Sequence, residues 1–349
     1  MSEIVRWLDD RTGWSGPLQK IFRYPVPAHA HHNPLFTMGS LLLVLFVVQE
    51  FTGMLLAFYY DPSPEGAYGS VDYMQFTLPF GWLVRGVHHW AASAMVIIVV
   101  LHLLRTYLYS AYKKPRELTW LVGVVLFLIT VAFGFTGYLL PWDQKGYWAT
   151  QVGTEIAGAV PLIGGALRGL MRGGEEMGIA TLTRFYAVHM LVLPGAFMVL
   201  VFAHLALMRR HGLAPALIRR GHGPEKTVPF YPTHLAIEAG IALAVIAGLI
   251  VASKLFPAPL DLRADPTDSI FVPRPDWYFL FYFQLLTYFP GYLEAIGTVA
   301  IPLIFFGSLA LLPFIDRGPE RRPWRKPITS GAFLLYAAAV IVLTLLGTT

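Results

Sequence analysis

Seven apolar stretches, near residues 36–58, 86–108, 119–140, 186–208, 235–256, 293–315 and 329–347, constrain this chain more than any other feature. Each is long enough to cross about 30 Å of hydrocarbon as a helix. Lipid offers no water to satisfy backbone N–H and C=O groups, so segments of this length must be helical. The pattern predicts an all-α membrane protein with seven transmembrane helices. Composition agrees, with 56% hydrophobic and only 13% charged residues. The formal charge of +5 is then read as basic loops at one membrane face. It implies a lipid bilayer as partner and no nucleic acid. The first 33 residues are polar and mixed in charge and lack the short apolar core of a cleavable signal.

Loop charge gives the orientation. With the N-terminus on one side, that side receives Arg6, Arg11, Lys20 and Arg23. Later loops add Arg105, Lys113, Lys114 and Arg116, then Arg209, Arg210, Arg219, Arg220 and Lys226, then Arg317, Arg321, Arg322, Arg325 and Lys326. These are 18 of the 26 Lys and Arg. The positive-inside rule therefore expects a cytoplasmic N-terminus and a C-terminus outside, in a bacterial inner membrane. On the outer side fall a Gly-rich connection over 141–185 and a Pro-rich one over 257–292, long enough to suggest function. Trp142, Tyr147 and Trp148 open the first and suit an interfacial helix.

Two apolar stretches carry histidines deep inside, which is costly unless function requires it. His88 and His102 are 14 residues apart on the second; His189 and His204 are 15 apart on the fourth. Fourteen residues advance about 21 Å and turn through nearly four whole turns, so each pair shares roughly one face. A lone membrane histidine is usually a hydrogen-bonded core residue. Two pairs at matched spacing favour two bis-imidazole haem sites, one near each membrane surface. Bis-imidazole ligation suits electron transfer because no coordination position stays open. His89 falls about 140° off the shared face and is the weaker ligand candidate. Cysteine is absent, which excludes disulfides, thiolate metal sites and thioether-attached haem.

Gly39 and Gly53 on the first stretch, and Gly123 and Gly137 on the third, are also 14 apart. A flat macrocycle needs close approach of flanking backbone, which glycine permits. Taken alone they read as small-residue helix packing. Arg85, Arg105 and Arg184 lie three to five residues from the histidines and could pair with haem propionates or simply snorkel to the interface. Pro275-Asp276-Trp277-Tyr278 precedes the sixth stretch. Burial there would raise the Asp276 pKa and make it a proton acceptor.

These motifs together resemble cytochrome b of the quinol-oxidising bc and b6f complexes, the b6f form most closely. The resemblance is densest over 81–110, 113–123 (KKPRELTWLVG), 134–150 (GFTGYLLPWDQKGYWAT) and 181–194 (TLTRFYAVHMLVLP). The 14-and-15 histidine spacing fits that branch. Residues 261–330, with Ala264-Asp265-Pro266 and the PDWY motif, look like the small second subunit of b6f, here joined to the first. The implied division is a segment 1–33, a b6-like four-helix di-haem part 34–215, and a subunit-IV-like three-helix part 216–349.

The resemblance implies two non-covalent b-type haems, the outer on His88 and His189 and the inner on His102 and His204. It implies bifurcated quinol oxidation near Gly146, Pro275, Asp276, Trp277 and Tyr278, with Asp276 and Tyr278 catalytic. One electron would pass to a Rieske iron–sulfur protein and on to a c-type cytochrome. The other would cross to a quinone near the cytoplasmic face, where Arg209 is a weak site candidate. Proton translocation and a homodimeric complex are implied with it. Two features depart from the family. Its PEWY motif is PDWY here, one methylene shorter at the acid. The position of the b6f haem-attaching cysteine aligns with Thr37, so no cysteine-attached haem is expected on this chain. The alternatives are a di-haem anchor of a quinone-linked dehydrogenase, which would not need the PDWY segment, and a non-redox proton-coupled transporter, which leaves the paired glycines unexplained.

Overall fold

The computed structural model describes residues 3–13, 16, 22–28, 33–214, 226–268, 270–272 and 274–348. Lys20, Arg219 and Arg220 of the basic loops lie outside them, as does the junction at 215/216. Among the described residues, seven helices are long and apolar enough to span a membrane. They are α2 (Met38–Ala57), α4 (Gly81–Leu108), α5 (Glu117–Tyr138), α8 (Ile179–His211), α9 (Phe230–Leu255), α11 (Gly291–Ile315) and α12 (Pro327–Gly347). All seven expected stretches are present. Shorter helices lie between them: α1 (Glu3–Thr12), α3 (Ala67–Phe76), α6 (Gln144–Gly158), α7 (Gly164–Arg172) and α10 (Trp277–Leu286).

Helices α2, α4, α5 and α8 form a four-helix bundle, with α9 packed on α4 and α2, α11 on α5, and α12 on α10. The bundle centre is a purely apolar layer of Leu45, Phe46, Ala91, Met95, Leu126 and Phe197. Each of these residues lies in sequence between the two histidines or the two glycines of its helix. The core therefore separates the bundle into an upper and a lower histidine layer. Replacing any of these side chains with a polar group would leave that group without a partner in a dry interior.

The connection over 141–185 is a hairpin of α6 and α7 folded over the end of the bundle nearer His88 and His189, called the outer end. Trp142 and Tyr147 are buried there against Leu139, Leu182 and Phe185. Of the three aromatics read as interfacial, Trp142 and Tyr147 are buried in this core, and Trp148 packs half-buried against it. The connection over 257–292 runs beneath it: Gln144 N donates to Leu262 O at 2.8 Å and Ala264 N to Trp142 O at 3.1 Å. At the opposite end a short strand β1 (Pro25–Pro27) pairs antiparallel with β2 (Thr227–Pro229). Arg116 donates to the carbonyls of His211, Gly212 and Leu213, closing the C-terminus of α8, whose last carbonyls lack helical partners.

Candidate functional site

The four histidines stand in two facing pairs between α4 and α8. The His88 and His189 ring centres are 6.4 Å apart. An imidazole nitrogen sits about 2 Å from a bound first-row metal and roughly 1 Å from its own ring centre, so a pair trans across one metal has centres about 6 Å apart. The outer pair has that separation. His102 and His204 form the second pair, within electrostatic reach of each other. No group of three or more His, Asp or Glu side chains capable of holding a metal occurs among the described residues. Two facing imidazoles would suit a macrocycle that brings its remaining metal donors with it.

Each paired glycine backs a different histidine. A Cβ added at Gly53 would lie 3.3 Å from His88 Cε1, at Gly137 2.6 Å from His189 Cε1, at Gly39 3.5 Å from His102 Cε1, and at Gly123 3.3 Å from His204 Cε1. The matched glycine spacing is thus a matched set of ring clearances. Ordinary small-residue packing would place helix backbones, not imidazoles, over these positions.

Two threonines that the sequence reading did not single out orient the outer pair. Thr52 Oγ1 donates to Val48 O at 2.7 Å and lies 2.9 Å from His88 Nδ1. Thr136 Oγ1 donates to Ala132 O at 2.8 Å and lies 3.0 Å from His189 Nδ1. Each hydroxyl proton goes to the helix carbonyl, so the oxygen accepts from Nδ1–H. That selects the tautomer with its lone pair on Nε2, which leaves that nitrogen able to bind a metal. The 15-residue spacing also has a local cause. Val188–Val192 form a single π turn inside α8, and such a turn absorbs one extra residue. His204 is thereby returned to the face that His189 occupies.

The three arginines differ. Arg105 stacks over Phe36 at 3.7 Å, and its buried Nε and Nη2 have no partner among the described residues. Buried guanidinium donors left open, three residues from His102, suit an anionic group such as a propionate. Arg85 donates to Gln75 Oε1, Ala258 O and Pro259 O. Arg184 donates to Gly169 O and Leu170 O. These two hold the outer connections in place, because the folded hairpin and the 257–268 segment bring backbone carbonyls to them. Arg209 is exposed at the end of α8.

A second constellation lies at the outer end of α5. Asp276 is the N-cap of α10, and its Oδ1 is 3.1 Å from Lys145 Nζ on α6. The Asp276 side chain keeps 21% of its exposure, so the acid sits beside a cation rather than in a purely apolar slot. Tyr278 packs its ring over Gly134, where an added Cβ would lie 3.1 Å away. Burial first, and then the Asp276 carboxylate, push the Tyr278 phenol above its ordinary value, so it remains a neutral donor. Lys145 Nζ also lies 5.6 Å from the centre of the Tyr138 ring, whose buried hydroxyl has no partner among the described residues. His89 is within electrostatic range of both Asp276 and Lys145, which gives the off-face histidine a neighbourhood of its own. Gly146 N donates to Asp143 Oδ1 at 2.8 Å, and a Cβ there would meet Tyr138 O at 2.3 Å. Trp277 is 43% exposed beside Tyr278, and Pro275 leads into the α10 cap. The arrangement joins a carboxylate, an ammonium and two phenols at the rim of the upper histidine layer.

Comparisons with known proteins agree with this architecture. Residues 23–212 match the family described as Cytochrome b/b6/petB, and residues 263–349 match Cytochrome b(C-terminal)/b6/petD. A cytochrome bc complex cytochrome b subunit from Chlorobaculum thiosulfatiphilum is 36% identical over 351 residues, covering 99% of this chain and 80% of that protein. Cytochrome b6 from a Synechocystis species is 44% identical over 216 residues, covering 62% of this chain and 96% of that protein. A chain of the solved structure "Hyperthermophilic respiratory Complex III" superposes with a TM-score of 0.87 at 31% identity, covering 99% of this chain and 91% of that one.

Proposed function

This chain belongs to the cytochrome b/b6 family, and on that premise we propose that it is the di-haem core subunit of a quinol:cytochrome c, or equivalent acceptor, oxidoreductase. Quinol is oxidised at the outer constellation. One electron leaves to a Rieske iron–sulfur protein and a c-type cytochrome, and the other crosses the bundle to a quinone at the basic face, coupled to proton translocation. The observation that carries this reading is the one-to-one facing of four histidines by four glycines in two layers. When bound, the two b-type haems would supply one-electron carriers, held by these four histidines.

His88 and His189 would hold the outer haem and His102 and His204 the inner one. The division at 34–215 and 216–349 follows this separation of roles and is supported by the two family matches that flank it. Asp276 accepts a proton from the bound quinol, Tyr278 donates a hydrogen bond to it, and Lys145 holds the acid at the mouth of the site. The basic face is cytoplasmic in a bacterial inner membrane, with the N-terminus inside and the C-terminus outside. The complex is a homodimer, as the resemblance implies.

A potentiometric optical titration of the purified complex, with haem counted per copy of this chain, tests the reading. Two b-type components of separable potential are expected. A single component, or none, would overturn the two-layer assignment.

The glycine clearances predict a graded series. Gly137→Ala intrudes on the His189 ring and is expected to reduce outer haem content most. Gly53→Ala and Gly123→Ala are intermediate, and Gly39→Ala, at ordinary contact distance, is tolerated. Reduced-minus-oxidised spectra of the four variants check the order. Equal haem content in all four would remove the clearance argument.

A further inference from the structure

The face opposite the quinol constellation carries a second built site. A cleft of about 480 Å3 opens between the α4–α5 loop and the end of α11. Its lining includes four cations, Lys113, Lys114, Arg317 and Arg321, against two carboxylates, Asp316 and Glu117. Asp316 is already neutralised from within. Lys113 Nζ lies 2.7 Å from Oδ1, Lys326 Nζ lies 3.0 Å from Oδ2, and the Tyr112 hydroxyl donates to the same carboxylate. Burial alone would push Asp316 up, but these hydrogen bonds hold it below the usual carboxylate range. It therefore stays an anion bound to its own ammoniums, Lys113 among them, which leaves Lys114, Arg317 and Arg321 against Glu117 in the cleft.

One further feature favours an amphipathic anionic guest. Pro313 and Phe314 form an apolar wall where α11 leaves the hydrocarbon, and Phe314 is exposed. A small soluble anion has no use for that wall. An amphipathic anion uses both surfaces, its charged group among the cations and its glycerol and acyl chain along Phe314.

We propose that this cleft binds the phosphate group of an anionic phospholipid from the surrounding leaflet. The bound lipid bridges Lys114 of the b6-like loop, beside the internally bonded Lys113, and the subunit-IV-like loop at Arg317–Arg321.

The test uses the whole complex in nanodiscs of phosphatidylcholine with one fifth phosphatidylglycerol, and counts retained lipid by native mass spectrometry. Lys114→Gln combined with Arg317→Gln leaves the buried Lys113–Asp316–Lys326 network intact. It is expected to lower phosphatidylglycerol retention about tenfold or more with unchanged haem content and quinol turnover. Phe314→Ser is expected to lower retention while leaving every charge in place. Inorganic phosphate at millimolar concentration is expected not to displace the lipid. Undiminished retention in both variants would overturn the proposal. So would equal retention of phosphatidylcholine, or displacement by phosphate alone, which would assign the cleft to a soluble anion.

Discussion

His189→Leu is expected to leave one b-type haem component where the parent has two, to lower haem per chain by about half, and to abolish quinol turnover. The leucine fills the space of the imidazole, so the fold keeps its packing and loses only the ligand. His88→Leu should give the same spectrum, because the two rings stand 6.4 Å apart and act as one site. The loss should be confined to the upper layer, since the apolar core lies between the two pairs. Thr136→Val keeps the side-chain shape and removes the acceptor at His189 Nδ1 together with the hydroxyl's own bond to Ala132 O. It is expected to weaken haem retention about 10- to 100-fold without eliminating the component. Reduced spectra, pyridine-haem counts and quinol-dependent reduction of the acceptor check all three. Normal haem content in both leucine variants would defeat the assignment of the outer pair.

The seven spans were legible because lipid leaves the backbone one choice, and a run of about twenty apolar residues announces it. The ends were less so. Helix α4 begins at Gly81, and α8 at Ile179, well before their apolar runs, because Trp82–Arg85 and Thr181–Tyr186 pack against the outer connections. The histidine and glycine spacings gave the two layers directly. The spacing of 15 needed a π turn to make sense, and no residue in Val188–Val192 announces one.

The groups that hold the histidine rings were partly legible. Phe-Thr-Gly occurs at 51–53 and again at 135–137. In each copy the glycine clears an outer histidine ring and the threonine accepts from that ring's Nδ1. That short repeat was the available signal. Arg85, Arg105 and Arg184 look alike in sequence, yet only Arg105 keeps buried donors open. The difference comes from connections more than a hundred residues away for Arg85, where Ala258 O and Pro259 O accept its protons. Trp142 and Tyr147 had the composition of interfacial aromatics, and tertiary packing buried them. Lys145 and Asp276 are 131 residues apart, and nothing local marks them as partners.

That pair bears on the second large effect. Asp276→Asn is expected to slow quinol oxidation by about a hundredfold or more while both haems remain bound and reducible by dithionite. Asparagine is nearly isosteric, and the Asp276 side chain makes no capping hydrogen bond to α10 that the substitution would remove, so the loop should hold its place. What would disappear is the basic oxygen proposed to take the quinol proton. The shorter acid of PDWY lies where Lys145 meets it at 3.1 Å, and the ammonium and carboxylate together hold the reacting oxygen at the mouth of the site. Asp276→Glu retains the base but lengthens its reach by one methylene. It should preserve turnover far better than asparagine does, even with the ion pair rearranged. Steady-state quinol oxidation, normalised to haem, separates the cases. Equal rates for parent, Asn and Glu would mean that the proton leaves by another group, and Tyr278, held neutral by burial and by Asp276, could not supply that base at neutral pH.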